Sequence, residues 1–268
     1  MLPDVLGKTL RDGRRGIAWW SLGLAALAAT MMVAYPSVRD NPDLNKLVED
    51  YPEALKAFLG IGEGVDYTSA AGYLNSELFS FMVPLLLIIA AVGAGARATA
   101  GEEEHGTLDL LLANPVSRAR VVVEKLGALC VELAALAAVL FCSLLAGTAA
   151  VGMHVSAWHL AAATADAALL ALVFGSVALL GGSAAGRRGT AAGITAAAAV
   201  AAYLLNSLAQ LVGFLEPLRP ASPFYHYAAS EPLTSGLSAA HVGLLLLAAA
   251  AAAAAAVAAF DRRDLSTP

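Results

Sequence analysis

The sequence predicts an all-α membrane protein with six transmembrane helices, and three observations carry that prediction. Of the 268 residues 59% are hydrophobic and only 14% charged, which is the composition of a bilayer protein and not of a soluble core. Aromatic residues make up just 7%, so the apolar content comes from Ala, Leu and Val. The apolar residues fall into six runs of about 19 residues or more, long enough to span a hydrocarbon core. The net charge of −5 is small, and no basic face points to nucleic acid.

The first segment, residues 1–16, carries Lys8, Arg11, Arg14 and Arg15 with Leu2, Val5, Leu6 and Leu10 at helical spacing. It reads as an interfacial helix with its basic side toward lipid headgroups. Gly7-Lys8-Thr9 mimics the end of a phosphate-binding loop, but the position that needs glycine is Leu2, so the chain has no nucleotide-binding loop of its own. Ile17 to Tyr35 is the first span, too long for the apolar core of a signal peptide.

Residues 36–77 form a polar interval with eight acids and three bases. Leu44, Leu47, Val48 and Tyr51 make one apolar face, Pro52 breaks it, and Leu55, Phe58 and Leu59 resume it, which predicts two short helices at the membrane surface. Two readings of this interval stay open, a ligand-capping domain and a loop that joins two spans. The second span is Leu78 to Ala96, with Pro84 near its start where a kink is tolerable. The third runs from Leu126 to about Val151, the fourth from His159 to Ala185, the fifth from Gly189 to Phe214 and the sixth from Val242 to Phe260.

Six spans put both termini on one side. Twelve of the sixteen bases, among them Arg97, Arg118, Arg120, Lys125, Arg187, Arg188, Arg262 and Arg263, then lie on that side, against Arg39, Lys46, Lys56 and Arg219 on the other. The positive-inside rule therefore predicts cytoplasmic termini in a multi-pass protein of the cell membrane.

Between the second and third spans lies Gly101 to Lys125, GEEEHGTLDLLLANPVSRARVVVEK. Thr107 is a good N-cap for a helix from Leu108, Asp109 sits in its first turn, and Asn114-Pro115 ends it after about two turns. With Glu102, Glu103 and Glu104 beside it, this helix would make a docking ridge for a partner whose groove presents basic side chains. A short interfacial helix that caps the bundle is the alternative.

This stretch resembles the cytoplasmic signature of ABC-2-type permeases, the membrane subunits of ABC exporters. There an acidic residue and Gly-Thr-Leu lead into a Leu-rich coupling helix, closed by Pro-x-Ser-Arg and a Lys, matched here by Pro115, Ser117, Arg118 and Lys125. Pro220 to Leu233, PASPFYHYAASEPL, resembles the family's re-entrant outer hairpin, and the resemblance covers essentially the whole chain. It implies one transmembrane domain over 1–268, with an interfacial helix at 1–16, an extracellular loop at 36–77, a coupling segment at 101–118 and an outer hairpin at 214–241. It also implies ATPase-coupling roles for Glu102, Glu103, Glu104, Gly106, Thr107, Leu108, Asp109, Leu110, Leu111, Pro115 and Arg118. Two permeases, identical or sisters, would form the pathway above two copies of a separate ABC ATPase. ATP and Mg would bind in that partner, and this chain would bind no cofactor and hydrolyse nothing.

Glu132 in the third span and Asp166 in the fourth are acids at membrane depth, where an ionisable group is costly and marks a substrate-pathway candidate. Asn206 and Gln210, four apart on the fifth span, read as interhelical hydrogen-bond partners or substrate ligands. Gly182 with Gly186 and Gly189 with Gly193 suit close helix approach, in packing of the fourth and fifth spans or in a dimer contact. The five histidines, His105, His154, His159, His226 and His241, show no ligand spacing, and no metal site is expected. Phe224, Tyr225, His226 and Tyr227 read as an aromatic belt or the lining of an exit gate. Cys130 and Cys142 lie roughly 18 Å apart on one helix and read as small buried apolar residues.

The function so predicted is export of a drug, antibiotic or lipid-like amphiphile, as in multidrug efflux, by a permease coupled to a separate ATPase. The alternative is a membrane-embedded enzyme or anchoring subunit using the intramembrane acids, which would need clustered His, Asp or Ser at one depth.

Overall fold

The computed structural model describes residues 5–41, 43–59, 66–104, 106 and 117–263. Helix is the regular structure throughout these residues, and six helical stretches are long and apolar enough to cross a membrane. The protein is an all-α integral membrane protein.

Helix α1 (Val5–Arg39) is followed by the short α2 (Asp43–Glu49) and α3 (Glu53–Leu59) on either side of Pro52. The Asp66 carboxylate accepts from Thr68 Oγ1 at 2.7 Å and from Asn45 Nδ2 at 3.0 Å. These bonds hold its carboxyl below the usual range, the Thr68 hydroxyl contributing most, and they tie α2 to the start of α4 (Ala70–Leu74).

The second crossing is not one smooth helix. Helix α4 passes into a π-helical turn at Asn75–Phe79 before α5 (Met82–Ala98) begins. Pro84 explains the interruption, because its ring lacks an N–H and clashes with the carbonyl four residues back, that of Ser80. The ladder restarts with Leu85 N donating to Phe81 O at 3.0 Å. The one-turn α6 (Ala100–Glu104) follows directly, and then α7 (Arg118–Val151), α8 (Ala157–Ala185), α9 (Arg188–Leu208), a 3-10 turn at Glu216–Ala221, α10 (Pro223–Ala229) and α11 (Ala239–Arg262). Ser117 and Ser156 cap the starts of α7 and α8 through their hydroxyls, and left-handed Gly152 and Gly186 close their ends.

Helix α8 is the centre of the bundle and packs against α5, α7, α9 and α11, while α1 lies along α7. The approach of α5 to α8 is made by Gly95 and Gly175. A Cβ on Gly95 would stand 2.2 Å from the Gly175 carbonyl oxygen, so this seam exists because both positions lack side chains.

The expected glycine seam lies elsewhere. Gly182 faces Thr99 and Ala96 at the end of the second crossing and in the turn after it, Gly181 approaches Ala191 of α9, and nothing lies within 4 Å of a Cβ on Gly189 or Gly193. Three more expectations change. Residues 5–16 are no separate interfacial helix but the first turns of an unbroken α1, about 52 Å long against a hydrocarbon core of about 30 Å. The fifth helix ends at Leu208, before a series of turns around Gly213 and Pro217, and does not reach Phe214. Cys130 and Cys142 are exposed on the surface of α7, not buried.

The seam is directly testable. Gly95→Ala should destabilise the protein by about 1–3 kcal/mol through overpacking, whereas Gly193→Ala, whose Cβ meets open space, should stabilise it by about 0.5–1 kcal/mol. Thermal unfolding of both variants in one detergent measures the difference.

Candidate functional site

The acidic triplet sits on α6. Successive residues of a helix point about 100° apart, so three consecutive carboxylates reach in three directions. Glu102 Oε1 lies 2.8 Å from Lys125 Nζ on α7 and 3.1 Å from Lys8 Nζ on α1. Glu103 pairs with Arg263 at the end of α11, and Arg263 Nη1 also donates to the Ser183 carbonyl of α8 at 3.2 Å. Glu104 Oε1 accepts from the backbone N–H of Arg188, the first residue of α9, at 2.8 Å. A carboxylate there also meets the positive end of the helix dipole.

Two further links complete this clasp. Glu124 Oε2 accepts from the backbone N–H groups of Val5 and Leu6 at 2.8 and 3.3 Å, and its other oxygen takes Arg120 Nε at 2.7 Å. Arg118 Nη1 donates to the Arg263 carbonyl at 2.7 Å. The side chains at the centre are scarcely solvated, with Lys125 4% and Glu102 12% exposed, while the Arg188–Glu104 contact at the edge is 52% and 39% exposed.

Of the predicted coupling residues, Glu102, Glu103, Glu104 and Arg118 thus meet partners within the chain. The glutamates, expected to face a basic groove of another protein, take up bases of α1, α7, α9 and the end of α11. Gly106 follows with a positive φ of 66° and its N–H on the Glu103 carbonyl at 3.0 Å. Thr107, Leu108, Asp109, Leu110, Leu111 and Pro115 lie outside the described residues, as does His105.

The opposite end is organised by α10. Ser222 caps it with Pro223 as its first residue, and the Ser222 hydroxyl donates to Ala202 O of α9 at 2.7 Å. Tyr227 Oη donates to Phe79 O, a carbonyl at the interrupted second crossing, at 2.6 Å. Ser230 Oγ binds Asp166 Oδ2 of α8 at 2.5 Å, and His226 Nδ1 lies 3.1 Å from His241 Nδ1 of α11. Phe224 and Tyr227 are buried while Tyr225 and His226 are half-buried, so the first two are no part of an aromatic belt. These two rings pack inward because α10 is fastened to α9, to the second crossing and, through Ser230, to α8.

Asn206 and Gln210 line a cavity of about 440 Å³ at this end, with Arg219, Ser207, Glu231 and Tyr203. They do not bridge spans: Gln210 Nε2 returns to the Asn206 carbonyl at 3.3 Å, and Asn206 Oδ1 accepts from Arg219 Nε at 3.2 Å. Glu132 and Asp166 are not among its lining residues. Asp166 is fully buried, with one oxygen on Ser230 and the other without a partner, and Glu132 is half-buried within the field of Arg97.

A family model described as ABC-2 family transporter protein matches residues 4–265. The chain belongs to this family. Comparison with curated proteins gives no match. As an ABC-2 permease the protein is a transport subunit of a membrane, and both the clasp and the cavity fall within the matched residues.

Sequence reading did not find the partners of the acidic triplet, the role of Arg219 or the His226–His241 contact. In each case the two halves stand apart in sequence, and no local pattern joins them.

The burial gradient across the clasp sets an order of effects. Glu102→Ala strands the buried Lys125 ammonium and should cost about 3–5 kcal/mol. Glu104→Ala breaks an exposed contact and should cost about 1 kcal/mol or less. Equal losses in denaturant unfolding would contradict the assignment of Glu102 as the clasp's centre.

Proposed function

We propose that this permease is the membrane half of an ATP-driven exporter, coupled at the end that holds its termini to a separate ABC ATPase. That end is cytoplasmic, since twelve of sixteen bases lie there. Two permeases, identical or sisters, form the pathway over two ATPase copies, which carry the ATP and Mg. The cargo is a drug, antibiotic or lipid-like amphiphile.

The clasp is the observation that carries the coupling. The motif from Gly106 to Pro115 is flanked by Glu102–Glu104 on one side and by Arg118 and Lys125 on the other. These residues, together with Arg263 that Glu103 binds, hold α1, α7, α8, α9 and α11. A force on the motif is therefore delivered to five membrane helices at once, as a bistable bundle needs if ATP is to shift it between two arrangements.

Affinity purification from native membranes in mild detergent, with mass spectrometry of the companions, tests this. The expected result is a stoichiometric subunit carrying a phosphate-binding loop, lost from Leu110→Asp while the permease itself is recovered at normal yield. Recovery without an ATP-binding companion across several detergents would overturn the coupling.

A further inference from the structure

Beside the polar cavity lies a second one of about 240 Å³, between α5 and α9, lined by Pro84, Leu85, Ile88, Ala199, Val200 and Leu204 together with four aromatic rings. It is apolar throughout except for the hydroxyls of Ser80 and Tyr203. The two cavities share Ser80, Tyr203 and Phe224 as walls, so they lie side by side with these side chains between them. Tyr203 stands at the junction. Its ring meets Phe58, Phe81 and Phe224 at centroid distances of 5.9, 5.7 and 5.3 Å, and its hydroxyl donates to the Phe58 carbonyl of α3.

The compartments differ in depth as well as chemistry. Ile88 lies about 9 Å along α5 from its start at Met82, so the apolar slot occupies the leaflet at the end away from the termini. Leu85, Val200 and Leu204 are exposed at its rim, which opens the slot sideways to hydrocarbon. The polar cavity sits above, among the turns that follow α9.

Arg219 decides the charge of what fits. Its Nε is spent on Asn206 Oδ1 and its guanidinium lies 5.3 Å from the Tyr225 ring centroid, and it makes no ion pair among the described residues. A guanidinium held by stacking and one hydrogen bond, with its remaining donors on a cavity wall, is a site for a phosphate or carboxylate. Asn206, Ser207, Gln210 and Thr234 also line this cavity and offer hydrogen bonds to hydroxyl or amine groups. Glu231, held at a positive φ of 42°, adds a carboxylate that disfavours a bare anion and suits a head carrying donors beside its phosphate.

We infer that the two neighbouring cavities together bind a single-chain amphiphile with an anionic phosphate head, the head at Arg219 and the acyl chain in the slot between α5 and α9, the Tyr203 ring turning aside to let the chain pass. The inference rests on the export reading for its orientation alone, and binding needs neither ATP nor an ATPase.

The test is native mass spectrometry of the full-length permease released from a neutral detergent, titrated with three probes of matched parts. They are a lysophosphatidylglycerol, the monoacylglycerol of the same chain, and glycerol phosphate. The lysophospholipid should bind at least about tenfold more tightly than either part, a difference of the size one charge-assisted contact supplies. Arg219→Gln should erase its advantage over the monoacylglycerol, Arg219→Lys should keep some of it, and Ala199→Phe should weaken both acyl probes by filling the slot. Equal binding of lysophospholipid and monoacylglycerol by the unaltered protein would overturn the head assignment without any variant. Displacement by glycerol phosphate alone would make the site one for a free anion and overturn the composite. A negative result here with an ATPase recovered in the purification would remove this site and leave the exporter reading standing. The reverse pair of results would do the opposite.

Discussion

The structure depends on the buried ammonium of Lys125 and the carboxylate of Glu102 that meets it. A charged Lys at that exposure is tolerable with a counter-ion in hydrogen-bond contact and severely unfavourable without one. Glu102 is therefore fixed in place, and with it the whole of the one-turn α6. Once α6 is fixed, helical geometry aims Glu103 and Glu104 at two other neighbours, so one ion pair positions the remaining contacts. The acids look in sequence like a solvated run. In the fold they are fasteners between elements, beside the contacts of Glu124 with the start of α1 and of Arg118 with the end of α11.

The two ends of the bundle are held by different chemistry. At the terminal end the links are ionic, and the Arg188–Glu104 edge of the clasp is open enough for salt to weaken it. At the other end α10 is held by neutral hydrogen bonds and by Asp166 on Ser230, the bonds of Tyr227 and Ser230 being buried. Between them the Gly95–Gly175 approach brings two backbones into contact along the centre. A seam of that kind resists sliding because neither helix carries a side chain that could repack.

Much of the fold was legible because the bilayer imposes a length and a polarity on each crossing, and Pro84 marks its own interruption. The positions that order the helices were harder to see. Gly95 and Gly175 look like any other glycines in Ala-rich runs, and which pair meets depends on helix rotation, so the more conspicuous Gly189 and Gly193 drew the packing assignment that the structure gives elsewhere. The interfacial helix was read from amphipathic spacing, yet Glu124 binds the first amides of α1 and Lys8 reaches Glu102. These contacts hold the segment against α7 as a continuation of the span. In the candidate site, Asn206 and Gln210 were visible as polar residues on an apolar helix. Arg219 was not, because its partnership with Asn206 crosses a turn that the sequence continues as helix.

The slot and the clasp are mechanically connected through two helices. Helix α5 lines one wall of the slot and runs at its other end into α6, with Thr99 between them. Helix α9 lines the opposite wall, and its first residue is bound by Glu104 of that same α6. The width of the slot is the separation of α5 and α9 at one end of the bundle, and the Glu104–Arg188 contact sets their separation at the other. That contact is the most exposed ion pair of the acidic triplet, so it yields first when α6 is displaced. Helices α1 and α7 keep their own link to α6 through Glu102. Because Tyr203 stands on α9 and lines both cavities, the wall between them belongs to the helix whose first residue Glu104 holds.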